Sequence, residues 1–227
     1  MSEKEALLHA RLNAYQWLLT KTDSFIQLAL AQVKRPYVAC SFGKDSAVML
    51  DMVLRHRPQV PVVFLRYPET EYIDNYAEVI AAWNLPNLHQ PLADVRILEE
   101  CNEKDIIPTW AIEHGHDGGF VGLRAEESRG RRMSLNMYGK LHWAKSGQCR
   151  VCPLADWKTA DIAAYTYANK LPLLDSYKLN GIAERSVNSI SNDEWGFREA
   201  QLQRIKRQDI TKFNQLVATF PELRAYV

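Results

Sequence analysis

Six consecutive residues, Ser41-Phe42-Gly43-Lys44-Asp45-Ser46, combine a glycine, a lysine, two hydroxyls and a carboxylate directly after a short apolar run. If that run is a strand and a helix follows, the helix's first-turn N–H groups are unpaired and its dipole adds partial positive charge. Gly43 lets a ligand approach the backbone and tolerates positive φ. Lys44 adds a full charge, and Ser41 and Ser46 add donors. This is a site for phosphate. A carboxylate beside a phosphate is unfavourable unless it holds a cation, so Asp45 suggests Mg²⁺ bridging nucleotide phosphates. The loop is not a Walker A loop, because G-x-x-x-x-G-K-[ST] is absent. The alternative is an ordinary capped helix after a strand.

A second chemical signal is Cys149-x-x-Cys152. Three readings stay open: two unlinked thiols on a turn, half of a zinc or iron–sulfur site, or a redox or sulfur-relay pair. Cys101 could be a third ligand, with His114, His116 and His142 as further candidates, whereas Cys40 reads as core. A third signal is charge. Residues 124–150 contain seven basic side chains (Arg124, Arg129, Arg131, Arg132, Lys140, Lys145, Arg150) against Glu126 and Glu127, a local +5 in a chain of net charge +1. That segment is either a solvated face or a site for a polyanion.

These residues need a scaffold. With 227 residues, 47% hydrophobic and 24% charged, the chain is an ordinary globular one rather than a disordered or collagen-like one. No apolar run reaches the ~20 residues that span a bilayer, and the N-terminus lacks a signal-peptide core, so a cytoplasmic location with no membrane partner is expected. Residues 4–33 read as one or two amphipathic helices with Leu7, Leu8, Leu12, Tyr15, Leu18 and Leu19 on one stripe. Thr22, Asp23 and Ser24 are candidate caps for a second helix starting near Phe25. This segment packs on a sheet or contributes to a homo-oligomer contact.

Tyr37–Cys40 and Val62–Leu65 read as buried strands around a helix from Ala47 to Leu54, so 37–65 forms a strand–loop–helix–strand unit. Residues 70–83 predict a helix, 87–92 a strand, 95–103 a helix and 120–123 a fourth strand. The expected fold is α/β: a mainly parallel twisted sheet with helices on both faces, which takes ligands at the carboxyl ends of its strands. The expected division is a helical arm at 1–35, a nucleotide-binding domain at 36–174 and a helical extension at 175–227, with helix over about 193–220.

The loop Ser41–Ser46 resembles the S-x-G-K-D-S loop of the PP-loop adenine-nucleotide α-hydrolase superfamily. Gly122-Leu123-Arg124-Ala125-Glu126-Glu127-Ser128-x-x-Arg131 and Cys152-Pro153-Leu154-Ala155-Asp156-Trp157-Lys158-x-x-Asp161-Ile162 resemble two segments of the phosphoadenosine phosphosulfate (PAPS) reductase family within it. The resemblance covers residues 36 to about 170. It implies an adenine nucleotide across the sheet's carboxyl edge, with phosphates on Ser41, Phe42, Gly43, Lys44, Asp45 and Ser46. Residues 66–69, including Arg66 and Tyr67, would lie beside adenosine. Arg124, Arg129, Arg131 and Arg132 would clamp the α-phosphate or a phosphosulfate, Gly122 and Glu127 would belong to the nucleotide site, and Glu126 and Glu127 would position Mg²⁺ or pair with arginines. Lys44, Asp45, Arg124 and Arg131 are the implied catalytic set. Trp157 reads as core.

Two chemistries exist in the family. Its reductases use a cysteine near the C-terminus to attack sulfur, and residues 153–227 contain none. They also usually lack the Lys-Asp-Ser part of the loop, which this chain keeps. Both departures favour ATP, cleaved to AMP and pyrophosphate to adenylate an acceptor. Relatives with the intact loop include the small subunit of sulfate adenylyltransferase, FAD synthetases, tRNA thiolases and the sulfur-transfer component of DNA phosphorothioation. Some of the thiolases carry three-cysteine clusters. The alternatives are a sulfonucleotide reductase and a non-enzymatic nucleic-acid or partner-binding module, in which Tyr138, His142 and Trp143 stack bases between the charges of 124–150 and Arg204, Lys206 and Arg207 add more.

Overall fold

The computed structural model describes residues 1–93, 103–184, 189–190 and 197–226. Among them the chain runs α1 (Glu3–His9), α2 (Asn13–Gln32), β1 (Pro36–Ala39), α3 (Lys44–Leu54), β2 (Val62–Val63), α4 (Thr70–Ile73), α5 (Tyr76–Trp83) and β3 (Leu88–His89). It continues through α6 (Glu103–Glu113), β4 (Gly118–Val121), α7 (Arg129–Tyr138), β5 (Leu141–Trp143), β6 (Cys149–Val151), α8 (Thr159–Ala168), α9 (Asp175–Asn180), α10 (Phe197–Gln208), α11 (Ile210–Thr219) and a 3-10 turn at Pro221–Tyr226.

The strands form one sheet in the order β3-β2-β1-β4-β6-β5. All neighbours are parallel except the edge strand β5, which pairs antiparallel with β6. Alternation along the strands sends side chains to two covered faces. Val38, Val62, Phe64, Phe120 and Val151 join α2, α3 and α8 in the main core. Tyr37 and Val63 turn the other way, onto Ala111 of α6. The α/β sheet with helices on both faces is thus observed. Strand order reverses between β1 and β4, and the carboxyl ends of strands at such a switch point flank a natural crevice.

Several sequence expectations shift. The N-terminal helix breaks at residues 10–12, which changes the phase of its buried face. Leu7, Leu8 and Leu12 are exposed, and the buried stripe is Tyr15, Thr22, Ile26 and Ala29. Thr22–Ser24 caps nothing. Thr22 lies inside α2, where its hydroxyl donates to the Leu18 carbonyl (2.9 Å) and accepts from Trp157 Nε1 (2.8 Å). The helix expected over 70–83 is cut at Asp74, whose backbone is extended. Its buried carboxylate accepts the N–H groups of Asn75, Asp175 and Ser176, so breaking one helix anchors the start of another, α9.

β4 begins two residues earlier than expected because Gly118–Val121 pairs in register with Pro36–Ala39, leaving Gly122 and Leu123 beyond the sheet. The expected strand 87–92 contracts to Leu88–His89 with an isolated bridge from Arg66 to Leu92. β5 and β6 were not anticipated, and Cys149 sits on β6 rather than on a turn. The expected helix 95–103 falls almost wholly outside the described residues. No helix among the described residues is long and apolar enough to cross a membrane.

Candidate active site

β1 delivers the chain into Ser41–Ser46 and then α3, and β4 delivers it into Gly122–Glu127 alongside. Gly122 makes this juxtaposition possible: a Cβ there would lie 3.0 Å from the Ser46 backbone nitrogen and 3.1 Å from its Cα. A side chain would push the two loops apart. The left-handed residue of the first loop is Phe42 (φ 54°), whereas Gly43 is extended at φ −69°. The expectation that Gly43 supplies the unusual turn is therefore corrected. Phe42 holds it by burying its ring edge-on against Phe64, at 5.2 Å between centroids. Its side chain is core, so only its backbone belongs to the site. Gly43 acts as an N-cap without a side chain, so no capping side chain covers the Asp45 and Ser46 N–H groups in the first turn of α3.

Lys44 is 5% exposed. Its Nζ donates to the Glu184 carbonyl (3.0 Å), lies 3.3 Å from Asp45 Oδ2 and sits 5.4 Å from the Tyr177 ring centroid. The Lys44 N–H donates to the Tyr177 hydroxyl (3.2 Å). The Ser41 and Ser46 hydroxyls are 3.2 Å apart, and Ser46 also donates to the Gly43 carbonyl. Tyr177 and Glu184, which the sequence reading missed, thus cover the loop from the C-terminal side. A lone tyrosine and glutamate 130 to 140 residues downstream carry no local signal; Asp74, by anchoring α9, brings Tyr177 there.

Arg124 lies behind this loop, 2% exposed and outside the lining of the cleft. Its Nε donates to Asp45 Oδ1 (2.7 Å), and its Nη1 donates to Glu126 Oε2 (2.8 Å) and the Trp157 carbonyl (3.2 Å). Burial pushes its pKa down, but Asp45, Glu126 and Glu127 outweigh that and raise it. Glu127 accepts the Arg124 N–H and pairs with Arg131. The four arginines expected to surround a phosphate are therefore divided. Only Arg131 lines the cleft, Arg124 braces Asp45, and Arg129 and Arg132 are exposed outside it.

Asp45 is likewise spoken for. Its two oxygens face Arg124 and Lys44, so the structure gives it a resident cationic environment where the sequence argument invoked Mg²⁺. A metal there would have to displace two ion pairs, and Asp45 does not fit that role in this arrangement. Glu126 is bound to Arg124 and to the N–H and hydroxyl of Thr159.

The cleft between these loops and the C-terminal helices holds about 1080 Å³. Its strand-end wall is apolar, with Ala39, Leu65 and Val121, and Ile107 of α6 lies beside them. Another wall comes from α9 and α10, through Tyr177, Gln201, Arg204, Arg207 and Gln208. Of the two residues expected beside adenosine, Tyr67 is buried in a small cluster with Leu65 and Ile106, and Arg66 is exposed near Glu71. Neither lines the cleft; the preceding residue, Leu65, does.

Cys149 and Cys152 are buried, as is Cys40, and all three are free thiols. Burial pushes the Cys149 thiol up, with Asp117 adding to it, and drives Cys152 and Cys40 each to about 11. No group of three or more His, Cys, Asp or Glu able to hold a metal occurs among the described residues, and Cys101 lies outside them. Cys149 and Cys152 are thus two buried thiols with no metal-binding cluster around them among the described residues. His114 and His116 instead stack on Trp110, and His142 stacks on Tyr138.

A doubly wound α/β sheet with a charged cleft at its switch point and an open helix N-terminus on its floor defines the class. The family model described as the phosphoadenosine phosphosulfate reductase domain matches residues 35–180, and the chain belongs to that family, within the PP-loop superfamily. It is 30% identical to the adenosine 5'-phosphosulfate reductase of Geobacillus kaustophilus over 158 residues, which cover 59% of this chain and 63% of that protein. It is 25% identical to sulfate adenylyltransferase subunit 2 of Saccharophagus degradans over 205 residues, 74% of this chain and 68% of that one.

Solved structures agree on the fold. The PAPS reductase of Candida auris, in a phosphate complex, superposes with a TM-score of 0.54 at 19% identity, covering 74% of this chain and 87% of that one. The FMN adenylyltransferase of Candida glabrata in complex with ATP gives 0.52 at 16% identity, covering 72% and 61%. The U34-tRNA thiolase of Methanococcus maripaludis, with its [4Fe–4S] cluster, gives 0.52 at 13%, covering 94% and 80%. The proteins so named are enzymes.

Proposed function

We propose that the cleft binds ATP and that the protein cleaves it to AMP and pyrophosphate while adenylating an acceptor. The observation that carries this reading is Lys44, a buried ammonium at an uncapped helix N-terminus beside two hydroxyls. A cation, hydroxyls and helix N–H groups gathered at one strand end suit the phosphates of a nucleotide. The adenine fits the apolar strand-end wall. The acceptor's nucleophilic oxygen attacks the α-phosphorus, the bond from that phosphorus to the bridging oxygen breaks, and pyrophosphate leaves with the electron pair. Lys44 and the first-turn N–H groups of α3 stabilise the charge that builds on the leaving group. Arg131 stands at the cleft, held by Glu127. Arg124 acts through Asp45, which it holds against Lys44, and is a positioning residue.

The family's other chemistry needs an accessible thiolate. The described cysteines are buried with raised pKa values, which supports adenylation over sulfonucleotide reduction. The test is to incubate the protein with Mg·ATP and candidate acceptors and to assay AMP and pyrophosphate, alongside release of sulfite from adenosine phosphosulfates with a thiol donor. AMP and pyrophosphate are expected and sulfite is not. Lys44→Ala loses a charge-assisted contact worth about 1.5–3 kcal/mol, so ATP affinity by calorimetry falls roughly 10- to 150-fold. An unchanged affinity in folded Lys44→Ala protein refutes the assignment.

A further inference from the structure

α10 presents two neighbouring stripes to two different surroundings. Leu202 and Ile205 are buried in a cluster with Phe213 and Leu216. Gln201, Arg204 and Gln208, three and four residues apart, share the adjacent face and line the cleft. Gln201 is 5% exposed, yet neither its Oε1 nor its Nε2 has a hydrogen-bond partner, and Gln208 Nε2 is also buried without one. A buried amide left unpaired is destabilising, and such groups are rare enough in native proteins to need a reason. A well-packed leucine would satisfy the fold better at this position. The carboxamide is therefore best explained by something that enters the cleft.

The chemistry of that ligand follows from what is unsatisfied. Sulfate or a phosphodiester only accepts hydrogen bonds, so it would serve Gln201 Nε2 and leave Oε1 unpaired. Both atoms are met by a ligand that presents a donor and an acceptor side by side, as the edge of a nucleobase does; glutamine pairs with such edges through two bonds at once. Cations stand on the same wall. Arg204 lies 3.6 Å from Glu184, whose backbone carbonyl also receives Lys44, and Arg207 lines the cleft one helical step away. The apolar strand-end wall is the natural place for the adenine of ATP, which leaves this polar stripe for a different base.

We propose that the Gln201 stripe of α10 binds a second nucleotide beside ATP, with the Gln201 carboxamide reading the base edge and Arg204 and Arg207 holding its phosphate. The acceptor in the reaction above is then of the nucleotide class, and this assignment rests on that reading of the cleft. The source is either a free nucleotide or a nucleotide within a nucleic acid.

The experiment begins with calorimetry of a non-hydrolysable ATP analogue, which tests the ATP reading by itself. The saturated protein is then titrated with AMP, GMP, CMP, UMP, inorganic phosphate, inorganic sulfate and short single-stranded oligonucleotides. At least one nucleotide probe is expected to bind at least tenfold tighter than phosphate or sulfate. Binding of a monophosphate identifies a free nucleotide, and binding of oligonucleotides alone identifies a nucleic acid. Gln201→Leu should weaken that binding at least tenfold, leave the ATP analogue's affinity within twofold and keep or raise the melting temperature. A merely structural glutamine would instead lower it. Gln201→Glu keeps the acceptor, loses the donor and should fall between. The proposal is overturned if no nucleotide probe binds better than phosphate or sulfate, or if Gln201→Leu binds like wild type. Failure of the ATP analogue to bind, with the Gln201-dependent nucleotide still bound, would remove the ATP reading and leave this site standing.

Discussion

Arg124 and Arg131 differ from Arg129 and Arg132 in whether a carboxylate holds them, although all four fall within nine positions. The first pair is tied to carboxylates: Arg124 to Asp45 and Glu126, and Arg131 to Glu127. The second pair is exposed on α7 and makes no ion pair among the described residues. A local charge of +5 therefore overstates the field at the cleft. Much of it is neutralised where it stands, and part of the remainder points elsewhere. The four positions separate because Gly122 seats the start of the segment against Ser46, whereas Ser128 caps α7 by accepting the Arg131 N–H and turns the next residues outward.

The contrast can be broken most strongly at Arg124. Arg124→Ala leaves Asp45 and Glu126 facing each other with no guanidinium between them. Removing one partner of a buried ion pair costs about 3–5 kcal/mol, and the lower end applies because Glu126 reaches solvent. The melting temperature should fall by roughly 10 °C. Arg124→Lys keeps a charge but cannot serve Asp45, Glu126 and the Trp157 carbonyl together, so its loss should be intermediate. Scanning calorimetry of both variants checks the order; an unchanged transition in Arg124→Ala would erase the distinction between the pairs.

Gly122→Ala tests the seam instead of the charge. The new methyl meets backbone, which yields less readily than a flexible side chain, and overpacking of this kind costs about 1–3 kcal/mol. Affinity for an ATP analogue is expected to drop more than stability, since the methyl pushes on the first turn of α3. Equal affinity in the variant would show that the two loops are not mechanically linked.

A smaller effect is expected from acid. Burial pushes the Glu126 carboxyl up, but hydrogen bonds from Thr159 and Arg124 outweigh it and hold it below the usual carboxylate range. A carboxyl whose folded pKa is depressed contributes stability above its unfolded pKa and loses it as pH falls through the folded value. Glu126→Gln should therefore be less stable than wild type at neutral pH and converge with it below about pH 4. Thermal melts from pH 7 to pH 3 provide the comparison, and parallel curves would contradict it. The smallest change is expected at Arg132→Ala, within about 0.5 kcal/mol in chemical denaturation and without effect on ATP-analogue binding.

Local pattern was enough to specify part of the fold. Apolar runs at 37–40 and 62–65 with helical spacing between them specify strand, helix and parallel strand, because only that arrangement buries both faces of the sheet. The loop at 41–46 was legible for the same reason: a glycine and a lysine at a strand-to-helix junction acquire their meaning from backbone N–H groups a few residues away. The N-terminal stripe and the 70–83 helix were misread because a break of two or three residues rephases a helix, and a break such as Asp74 answers to a partner a hundred residues distant. The bracing role of Arg124 and the placement of Tyr177, Glu184 and Gln201 at the cleft were not legible in the sequence. Whether an arginine braces a carboxylate or faces solvent, and whether a glutamine is buried with nothing to bind, depends on which distant segments share its surroundings. Only the packing of α9 and α10 over the switch point decided that.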